Sequence, residues 1–302
     1  MAIDFKGRVA IVTGAGGGLG REHALALAAR GAKVVVNDLG GARDGTGGSA
    51  TAAEKVVEEI RKAGGEAIAN GASVTDYAAV EGMVAEAMKK WGRVDILVNN
   101  AGILRDKTFS KMDIADFRAV LDVHLMGAVH CTKAIWEIMR NQNYGRIVMT
   151  TSSSGLYGNF GQSNYGAAKM ALVGLMQTLS LEGAKNDIRI NCLAPTAATR
   201  MTEGIMPEAV LAMLKPEAVS PAIVYLASEG APTRAIICAG AGSFERAYVT
   251  ITPGAFVGLG KDAADTLAAK FDAISDRKND TVPSSAMDQG KIEIAHATLK
   301  AS

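Results

Sequence analysis

One tyrosine of this sequence has a lysine four residues later. Tyr165 is followed by Lys169, and none of the other tyrosines has such a partner. Residues 161–184 are predicted to be helical, which places the ammonium group of Lys169 near the phenol of Tyr165 on one helix face. A free phenol has a pKa of about 10, and lowering it to about 7 requires about 4 kcal/mol. One positive charge at about 4 Å, with an effective dielectric constant of about 20, supplies that much.

A serine precedes this pair at a distance that suits the same chemistry. Ser152 lies thirteen residues before Tyr165, in a serine-rich turn. Its hydroxyl can orient a carbonyl or alcohol oxygen beside a phenol that acts as an acid or base. The alternative interpretation is a surface tyrosine and a solvated lysine on an ordinary helix. The rest of the chain has to decide between the two.

A glycine-rich turn follows the first apolar segment. Residues 8–13 predict a buried strand, and the next seven residues contain five glycines before a helix begins. This context indicates a phosphate-binding turn, because a helix N-terminus attracts anions and glycine lets the backbone approach them. The alternative is a flexible connection. The residues assigned to dinucleotide binding here are Gly14, Gly18, Leu19 and Gly20.

A carboxylate stands at the end of the second predicted strand. Asp38 follows Gly20 by 18 residues, a position from which it can bind a ribose diol and repel a 2′-phosphate. The sequence therefore favours NAD over NADP. Arg43, in the following loop 39–49, keeps a phosphate-binding alternative open. The tip of that long loop is interpreted as a disordered surface insertion.

Small and amide residues follow two further predicted strands. One set comes after the strand at residues 66–70, where an adenine ring can lie, and the other follows the strand at residues 94–98. Such residues let the backbone approach a ribose or a nicotinamide, although a turn that only fixes the sheet has the same composition. The residues expected to contact the cofactor are Ser73, Val74, Asn100, Ala101 and Gly102.

His124 lies within an apolar helical face between residues 113 and 140. A single histidine on such a face is more often a hydrogen-bonded core residue than a catalyst. Both roles stay open: a catalytic group that relays protons through water, and a residue that only holds a kink in the helix.

The order of the segments predicts the fold. Strand-like and helix-like segments alternate along the chain, which indicates an α/β protein with one Rossmann-type, doubly wound parallel sheet of about seven strands and helices on both faces. We expect residues 1–242 to form the cofactor-binding and catalytic domain and residues 243–302 a C-terminal extension packed on it. The extension is predicted to hold a helix at 262–274, a loop at 276–290 and a last short element at 291–301.

Composition limits the classes of partner. The net charge is +1, which argues against nucleic acid or an anionic membrane surface as the main partner. No apolar stretch reaches the length of a membrane span. The cysteines lack metal-ligand spacing and are typical of buried thiols in a reducing compartment, so no metal is expected. The first residues do not resemble a signal peptide and the last three are not a peroxisomal signal, so we expect a cytoplasmic protein.

Four motifs together resemble the short-chain dehydrogenase/reductase family over about residues 6–242. They are the glycine motif from Thr13 to Gly20, the run Asn99 to Gly102, Ser152, and Tyr165 with Lys169. The resemblance implies that Tyr165 is the general acid and base. It also implies that Lys169 lowers the phenol pKa and holds the nicotinamide ribose, and that Ser152 binds the reacting oxygen. A homodimer or homotetramer, formed through the helices that begin near 113 and 161, is implied as well.

Two departures from the general family pattern point to a subgroup. His124 replaces a frequent asparagine, and Pro195-Thr196, which is expected to contact the cofactor, replaces Pro-Gly. The chain resembles here the (3R)-hydroxyacyl-CoA dehydrogenase part of type 2 peroxisomal multifunctional enzymes, also described as 17β-hydroxysteroid dehydrogenases. This implies NAD-dependent oxidation of a (3R)-hydroxyacyl-CoA to a 3-oxoacyl-CoA. A steroid or other bulky alcohol is the alternative substrate, and a dinucleotide-sensing protein without turnover is the alternative from another class.

Overall fold

Short runs rich in valine and isoleucine form the strands, because such side chains pack well on a pleated surface. The structure is a computed structural model that describes residues 2–49, 51–198 and 207–301. The described residues contain the strands β1 (Val9–Thr13), β2 (Lys33–Asn37), β3 (Glu66–Asn70), β4 (Ile96–Asn99), β5 (Gly145–Thr150), β6 (Ile188–Thr196), β7 (Ile236–Gly240) and β8 (Ser243–Ala247).

These strands form one sheet in the order β3-β2-β1-β4-β5-β6-β7-β8. Strands β1 to β7 pair in parallel, and Val12 of β1, for example, lies opposite Val36 of β2 and Val98 of β4. The chain starts in the middle of the sheet, runs outward to β3 and returns to β4, so the sheet is doubly wound. The predicted fold class is confirmed, with eight strands in the described residues where about seven were expected.

The connections between strands carry the helices. The helices α1, α2 and α9 share one hydrophobic core with alternate strand residues such as Val12 and Val36, while α3 packs on α5 and α4 packs on α7. The helices are α1 (Gly18–Ala28), α2 (Thr51–Lys62), α3 (Tyr77–Trp91), α4 (Ile114–Leu121), α5 (Gly127–Gln142), α6 (Ser153–Tyr157), α7 (Ser163–Gly183), α8 (Glu208–Leu211), α9 (Ser220–Leu226), α10 (Ala263–Ala269), α11 (Phe271–Ile274) and α12 (Ala286–Ala301).

The amino ends of the strands hold a fully buried guanidinium group. Arg146, with no exposed surface, donates hydrogen bonds to the main-chain oxygens of Gly145, Asp187, Ser228 and Glu229. It also forms a 3.0 Å ion pair with the carboxylate of Asp187. A buried charge is tolerated when it is paired and hydrogen-bonded in this way.

An aromatic ring continues this cluster towards β1. The guanidinium of Arg146 lies 4.2 Å from the ring centroid of Tyr144, and that of Arg8 lies 3.6 Å from the same centroid. Arg8 and Arg93 both bind the buried carboxylate of Asp95. Cation–π contacts and ion pairs therefore hold together the starts of β1, β4 and β5.

The eighth strand is one element that the sequence pattern did not reveal. Strand β8 follows β7 after only two residues, Ala241 and Gly242, which both have positive φ values, of 50° and 80°. This conformation suits a tight two-residue hairpin. The strand is mostly exposed, so it lacks the apolar run that announced the others.

The chain divides into two compact units, with the boundary between Arg246 and Ala247. The second unit contains α10 to α12. Its last helix begins at Ala286, five residues earlier than predicted, so the expected loop up to residue 290 is wrong at that end. The reason is local: Ser284 binds the carboxylate of Asp288 through both its amide and its hydroxyl, which closes the first helical turn.

No helix among the described residues is both long and apolar enough to cross a membrane.

Candidate active site

The carboxyl ends of the parallel strands lie along one edge of the sheet. Thr13, Asn37, Asn99, Thr150 and Thr196 are the last residues of β1, β2, β4, β5 and β6. Because these strands are parallel neighbours, the segments that follow them meet at this edge. The sequence-predicted residues of the glycine turn, Asp38, the run after β4, Ser152 and Pro195-Thr196 are all placed there.

The glycine turn lies so close to the neighbouring turn that side chains do not fit. A Cβ atom on Gly14, where φ is 63°, would lie 2.8 Å from the Cα atom of Ala101. A Cβ atom on Gly20 would overlap the carbonyl of Gly14. Helix α1 begins at Gly18. Its N-cap residue is Gly17, which has no side chain that could accept hydrogen bonds from the amides of the first turn. Free amides and the helix dipole at this turn suit a pyrophosphate.

Asp38 joins the glycine turn to the end of β2. One carboxylate oxygen accepts a 2.7 Å hydrogen bond from the amide of Gly16, and the other accepts a 2.6 Å bond from the amide of Gly40. Both bonds fix the carboxylate at the sheet edge. Each oxygen keeps a lone pair, so the group can still accept a ribose hydroxyl.

The loop after Asp38, whose tip was predicted to be a disordered surface insertion, forms hydrogen bonds with the segment that follows β4. The amide of Leu104 donates to the carbonyl of Arg43 at 3.0 Å, and the side chain of Arg105 donates to the carbonyl of Asp44 at 3.0 Å. A Cβ atom on Gly45 would touch the side chain of Ile103. The loop is therefore clipped to the segment that follows β4, which no local pattern in 39–49 announced.

Asn100 joins the turn after β4 to the glycine turn. Its side-chain amide donates to the carbonyls of Thr13 and Gly14, at 3.0 and 3.1 Å. The hydroxyl of Thr13 accepts the main-chain amides of Asn100 and Ala101. These bonds fix the turn after β4 to the glycine turn, which is the alternative role expected for this segment.

The remaining expected cofactor contacts lie on the flanks of the site. Val74 is buried against Gly127, and its carbonyl is 2.9 Å from Nδ1 of His130. The hydroxyl of Ser73 hydrogen-bonds that of Thr75 at 2.8 Å. Pro195 and Thr196 end β6 beside β7. The structure thus brings both pairs, Ser73 with Val74 and Pro195 with Thr196, to the edge of the sheet where the cofactor is expected.

Ser152 and Tyr165 meet as the spacing predicted. Ser152 caps the short helix α6, where its hydroxyl accepts the amide of Ser154 at 3.1 Å. The phenol of Tyr165, in the first turn of α7, shares a hydrogen bond with the Ser152 side chain. The buried Asn164 accepts the amide of Tyr165 and donates to the carbonyl of Arg105 at 3.0 Å. Two hydroxyls therefore converge at the end of β5.

Lys169 is held from both ends by the last residues of β5. Its buried ammonium group donates a 2.6 Å hydrogen bond to the carbonyl of Thr150, and its own carbonyl accepts the hydroxyl of Thr151 at 2.6 Å. The ammonium nitrogen is 5.4 Å from the ring centroid of Tyr165. The predicted i, i+4 pair is therefore present.

The protonation of this pair differs from the expectation. Burial raises the pKa of Tyr165 to about 12, against a smaller lowering effect of the hydrogen bond from Ser152. Burial also lowers the pKa of Lys169 to about 7. The protein alone therefore does not bring the phenol pKa to the predicted value of about 7, because desolvation outweighs the hydrogen bond from Ser152. The phenol is neutral at pH 7, the form that donates a proton.

His124 lies in a π-helical turn, Asp122–Met126, between α4 and α5. Its Nε2 atom is 2.8 Å from the carbonyl of Ile103, and its ring meets that of Tyr165 edge-on at 5.1 Å. A Cβ atom on Gly102 would overlap this ring. Burial holds the pKa of His124 well below its usual value, so the imidazole is neutral.

The second nitrogen of His124 is unusual. Nδ1 is buried and has no hydrogen-bond partner among the described residues. A cavity of about 10 Å³, lined by His124, Lys169, Thr13 and Asn99 among others, adjoins it. A polar space of that size can hold one water molecule.

Several residues of the site escaped sequence reasoning. Thr13, Thr151 and Asn164 hold the turn, the lysine and the tyrosine in place through side-chain hydrogen bonds. Only the position of Asn164, directly before the tyrosine, offered a signal. The other contacts join residues that are at least 18 positions apart.

The residues present suit a nicotinamide dinucleotide. The glycine turn excludes side chains where a pyrophosphate would need backbone contact, Asp38 faces the same edge, and Lys169 and Tyr165 lie at its other end. The unpartnered amides at the start of α1 and the carboxylate at the end of β2 are the donor and acceptor that such a ligand requires.

Comparison with known proteins shows which protein family the chain resembles. The sequence model for short chain dehydrogenases matches residues 8–209. The chain is 58% identical over 225 residues to peroxisomal multifunctional enzyme type 2 of Drosophila melanogaster, covering 74% of this chain and 37% of that protein.

Two solved structures are similar. Full-length peroxisomal multifunctional enzyme type 2 of Drosophila melanogaster gives a TM-score of 0.80 at 38% identity, over 99% of this chain and 50% of that one. A 7α-hydroxysteroid dehydrogenase, complexed with NADH and 7-oxo glycochenodeoxycholic acid, gives 0.71 at 30% identity, over 80% of this chain and 95% of that one. This chain thus spans at most half the length of the Drosophila enzyme. It belongs to the short chain dehydrogenase family and is an oxidoreductase acting on CH–OH groups.

Proposed function

We propose that this protein is an NAD-dependent dehydrogenase that converts a (3R)-hydroxyacyl-CoA to a 3-oxoacyl-CoA, reversibly. The observation that carries the reaction is the hydrogen-bonded pair Ser152 and Tyr165 beside Lys169, at the carboxyl end of β5. The substrate assignment is supported by the 58% identity to a peroxisomal multifunctional enzyme type 2. The activity of that longer protein comes to this chain only as part of this proposal.

Ser152, Tyr165 and Lys169 have separate roles in the proposed reaction. Ser152 hydrogen-bonds the substrate oxygen and orients it towards the Tyr165 phenol. Tyr165 donates its proton to that oxygen when a ketone is reduced and takes it back when the alcohol is oxidised. Bound NAD supplies the hydride acceptor. Lys169 contributes positive charge near the phenol, which favours the phenolate that oxidation requires.

Asp38 supports the choice of NAD. Its carboxylate is fixed at the end of β2 by two amides and would face a ribose diol with an attractive acceptor and a 2′-phosphate with a like charge. Arg43, the residue that kept NADP open, lines the cleft between the loop and the segment that follows β4. The expected outcome is a strong preference for NAD.

His124 is proposed to be a positioning residue. It holds Ile103 through Nε2 and packs its ring edge-on against Tyr165. His124→Phe keeps a planar ring and removes both nitrogens. Turnover that falls less than about tenfold agrees with positioning, whereas a loss as large as that of a Tyr165 variant assigns His124 to a proton relay.

The test of the proposal is the rate of NAD reduction at 340 nm with a (3R)-hydroxyacyl-CoA, its (3S) epimer and a 17β-hydroxysteroid, repeated with NADP. Fast (3R)-selective turnover with NAD is expected. Turnover of the steroid alone selects the second candidate, a hydroxysteroid dehydrogenase, which the similarity to a 7α-hydroxysteroid dehydrogenase favours. Preference for NADP discards the role of Asp38.

Assembly and location belong to the same proposal. A homodimer or homotetramer is expected, and a monomer at micromolar concentration in light scattering contradicts it. The cytoplasmic location remains a prediction. The similar Drosophila protein is called peroxisomal, so cell fractionation decides between the two.

A further inference from the structure

A cleft of about 590 Å³ opens beside the candidate active site. One wall is the loop after Asp38, and the other is the segment that follows β4 together with the start of α4. Its volume is typical of a small-molecule site. The lining residues are Arg43, Asp44, Thr46, Leu104, Arg105, Asp106, Lys107 and Asp116.

The inner wall of the cleft is fastened to the start of α7. The amide of Lys107 donates to the carbonyl of Gly161 at 3.0 Å, and the carboxylate of Asp106 accepts the side chain of Gln162 at 2.8 Å. Gln162 is the residue before α7, one helical turn ahead of Tyr165. Asp106 therefore lies near Tyr165, and its negative charge contributes to the raised pKa of that phenol.

Most of the charges in the cleft compensate one another. Arg105 and Lys107 both pair with the carboxylate of Asp116, at 3.1 Å each, and Lys107 also pairs with Asp113. The carboxylate of Asp44 accepts two hydrogen bonds from Thr46 within the loop.

Three charges of the cleft have no ion pair within the described ranges, Asp106 on one wall and Arg43 and Asp44 on the other, but the Asp44 carboxylate is bound to Thr46 within the loop. Asp106 forms no ion pair with any described residue, since its partner Gln162 is neutral. The guanidinium of Arg43 has neither a hydrogen bond nor an ion pair within the described ranges. The cleft thus offers a negative charge near α7 and a positive charge on the loop.

We propose that this cleft binds the part of the substrate beyond the reacting carbon, and that Asp106 and Arg43 make it selective for a substrate that is neutral next to that carbon and anionic farther out. A thioester of a phosphate-bearing carrier has this charge pattern. A free hydroxy acid has the opposite one, because its carboxylate would lie beside Asp106. This inference rests on the proposed function and specifies its substrate.

The first test removes the charge of Asp106. Asp106→Asn can still accept the Gln162 amide, so the wall stays in place. Like charges in water-exposed clefts repel weakly, so kcat/KM for free (3R)-hydroxybutyrate should rise about threefold. The kcat/KM for the neutral N-acetylcysteamine thioester should change only through the effect of the Asp106 charge on the pKa of Tyr165, an effect that both substrates share. An equal effect on both substrates overturns the role of Asp106. Glu182→Gln, near the far end of α7, is the control for the change in net charge.

The second test removes the charge of Arg43. Arg43→Gln should raise KM for the (3R)-hydroxybutyryl-CoA thioester about tenfold. This is the effect expected when one hydrogen bond between the guanidinium and a phosphate is lost. KM for the N-acetylcysteamine thioester, which lacks phosphates, and the Kd for NAD should not change. Lys111→Gln, which removes an exposed cation just outside the cleft, is the control. An equal rise for both thioesters, or weaker NAD binding, overturns the role of Arg43.

Binding of CoA and pantetheine to the enzyme with NADH separates this inference from the proposed reaction. Arg43→Gln should weaken CoA binding and leave pantetheine binding unchanged. The wild-type protein could turn over neither free (3R)-hydroxybutyrate nor its N-acetylcysteamine or CoA thioester and still bind CoA in a way that depends on Arg43. That result contradicts the proposed reaction and supports the proposed binding role of the cleft. Turnover of the CoA thioester that depends on neither Arg43 nor Asp106 supports the proposed reaction and overturns the role of the cleft.

Discussion

The two ends of the same sheet differ in how their buried charged groups are hydrogen-bonded. At the amino end, the fully buried Arg146 has an acceptor for each of its donor nitrogens and an aromatic ring beside it. At the carboxyl end, the buried Lys169 has a single acceptor for its ammonium group, and His124 and Thr150 each keep a buried polar atom without a partner among the described residues.

The difference teaches how one fold separates stability from chemistry. A satisfied buried charge fixes strands and resists change, whereas an unsatisfied polar group costs free energy until a ligand or water meets it. The amino end therefore stabilises the sheet, and the carboxyl end holds groups whose protonation can change. Substitutions at the two ends should affect different measurements.

The largest effect is expected for Tyr165→Phe. It removes the proton that is transferred and keeps the ring that packs on His124. Turnover should fall by about 10²- to 10⁴-fold, while the Kd for NADH, measured by fluorescence titration, and the thermal midpoint stay close to those of the wild type. Turnover near the wild-type rate would remove Tyr165 from the mechanism.

Arg146→Met tests the amino end. It removes hydrogen bonds to four main-chain oxygens, of which those of Asp187 and Glu229 keep the Gly145 amide and the Arg189 side chain as donors. The free energy of unfolding should fall by about 3 kcal/mol, measured by urea denaturation. Activity below the unfolding transition should not change. Arg189→Met is the matched control, since Arg189 binds the same Asp187 from a partly exposed position and should cost about 1 kcal/mol or less. Equal losses of unfolding free energy in the two variants would contradict the stabilising role of the buried Arg146.

Lys169→Met tests the buried charge at the carboxyl end. The folded-state pKa of Lys169 is lowered from 10.5 to about 7, so between these values the unfolded chain binds the proton more strongly. Wild-type stability should therefore rise with pH above 7, by up to about 1.4 kcal/mol per pH unit. The variant should lack this rise. Urea midpoints of both proteins between pH 7 and 9 measure the difference, and parallel curves would refute it.

Thr150→Val should have the smallest effect, and a stabilising one. The Thr150 hydroxyl is buried without a partner in the described part of the chain, so replacing it with a methyl group should add up to about 1 kcal/mol to the free energy of unfolding. Thr132→Val is the control, because the Thr132 hydroxyl accepts the buried amide of Asn99. That variant should lose about 1 kcal/mol or more. Loss of stability in Thr150→Val would show that its hydroxyl has a partner.

The parallel sheet could be predicted because its strands are apolar runs between helices, and the relative order of the motifs placed them at one edge. The pair Tyr165 and Lys169 followed from helical spacing alone. Edge strand β8 escaped because its residues are polar and exposed. Its hairpin depends on two positive φ angles, one of them at an alanine.

The electrostatics of the site could not be predicted from spacing. The sequence places Lys169 one turn from Tyr165 but does not show that both lie in a dry environment, and burial decides the pKa of each. The clip between the loop after Asp38 and the segment after β4 escaped for a similar reason. Its bonds join residues 61 positions apart, through main-chain atoms on at least one side.

That clip has a consequence for the order of events. The loop carries Asp38 at one end, against the glycine turn, and holds the wall of the substrate cleft in its middle through Arg43 and Asp44. A dinucleotide bound at Asp38 would hold one end of the loop and, through these hydrogen bonds, the wall of the cleft, so the two ligands should bind with positive coupling. We therefore expect compulsory-order kinetics in which the dinucleotide enters first and leaves last.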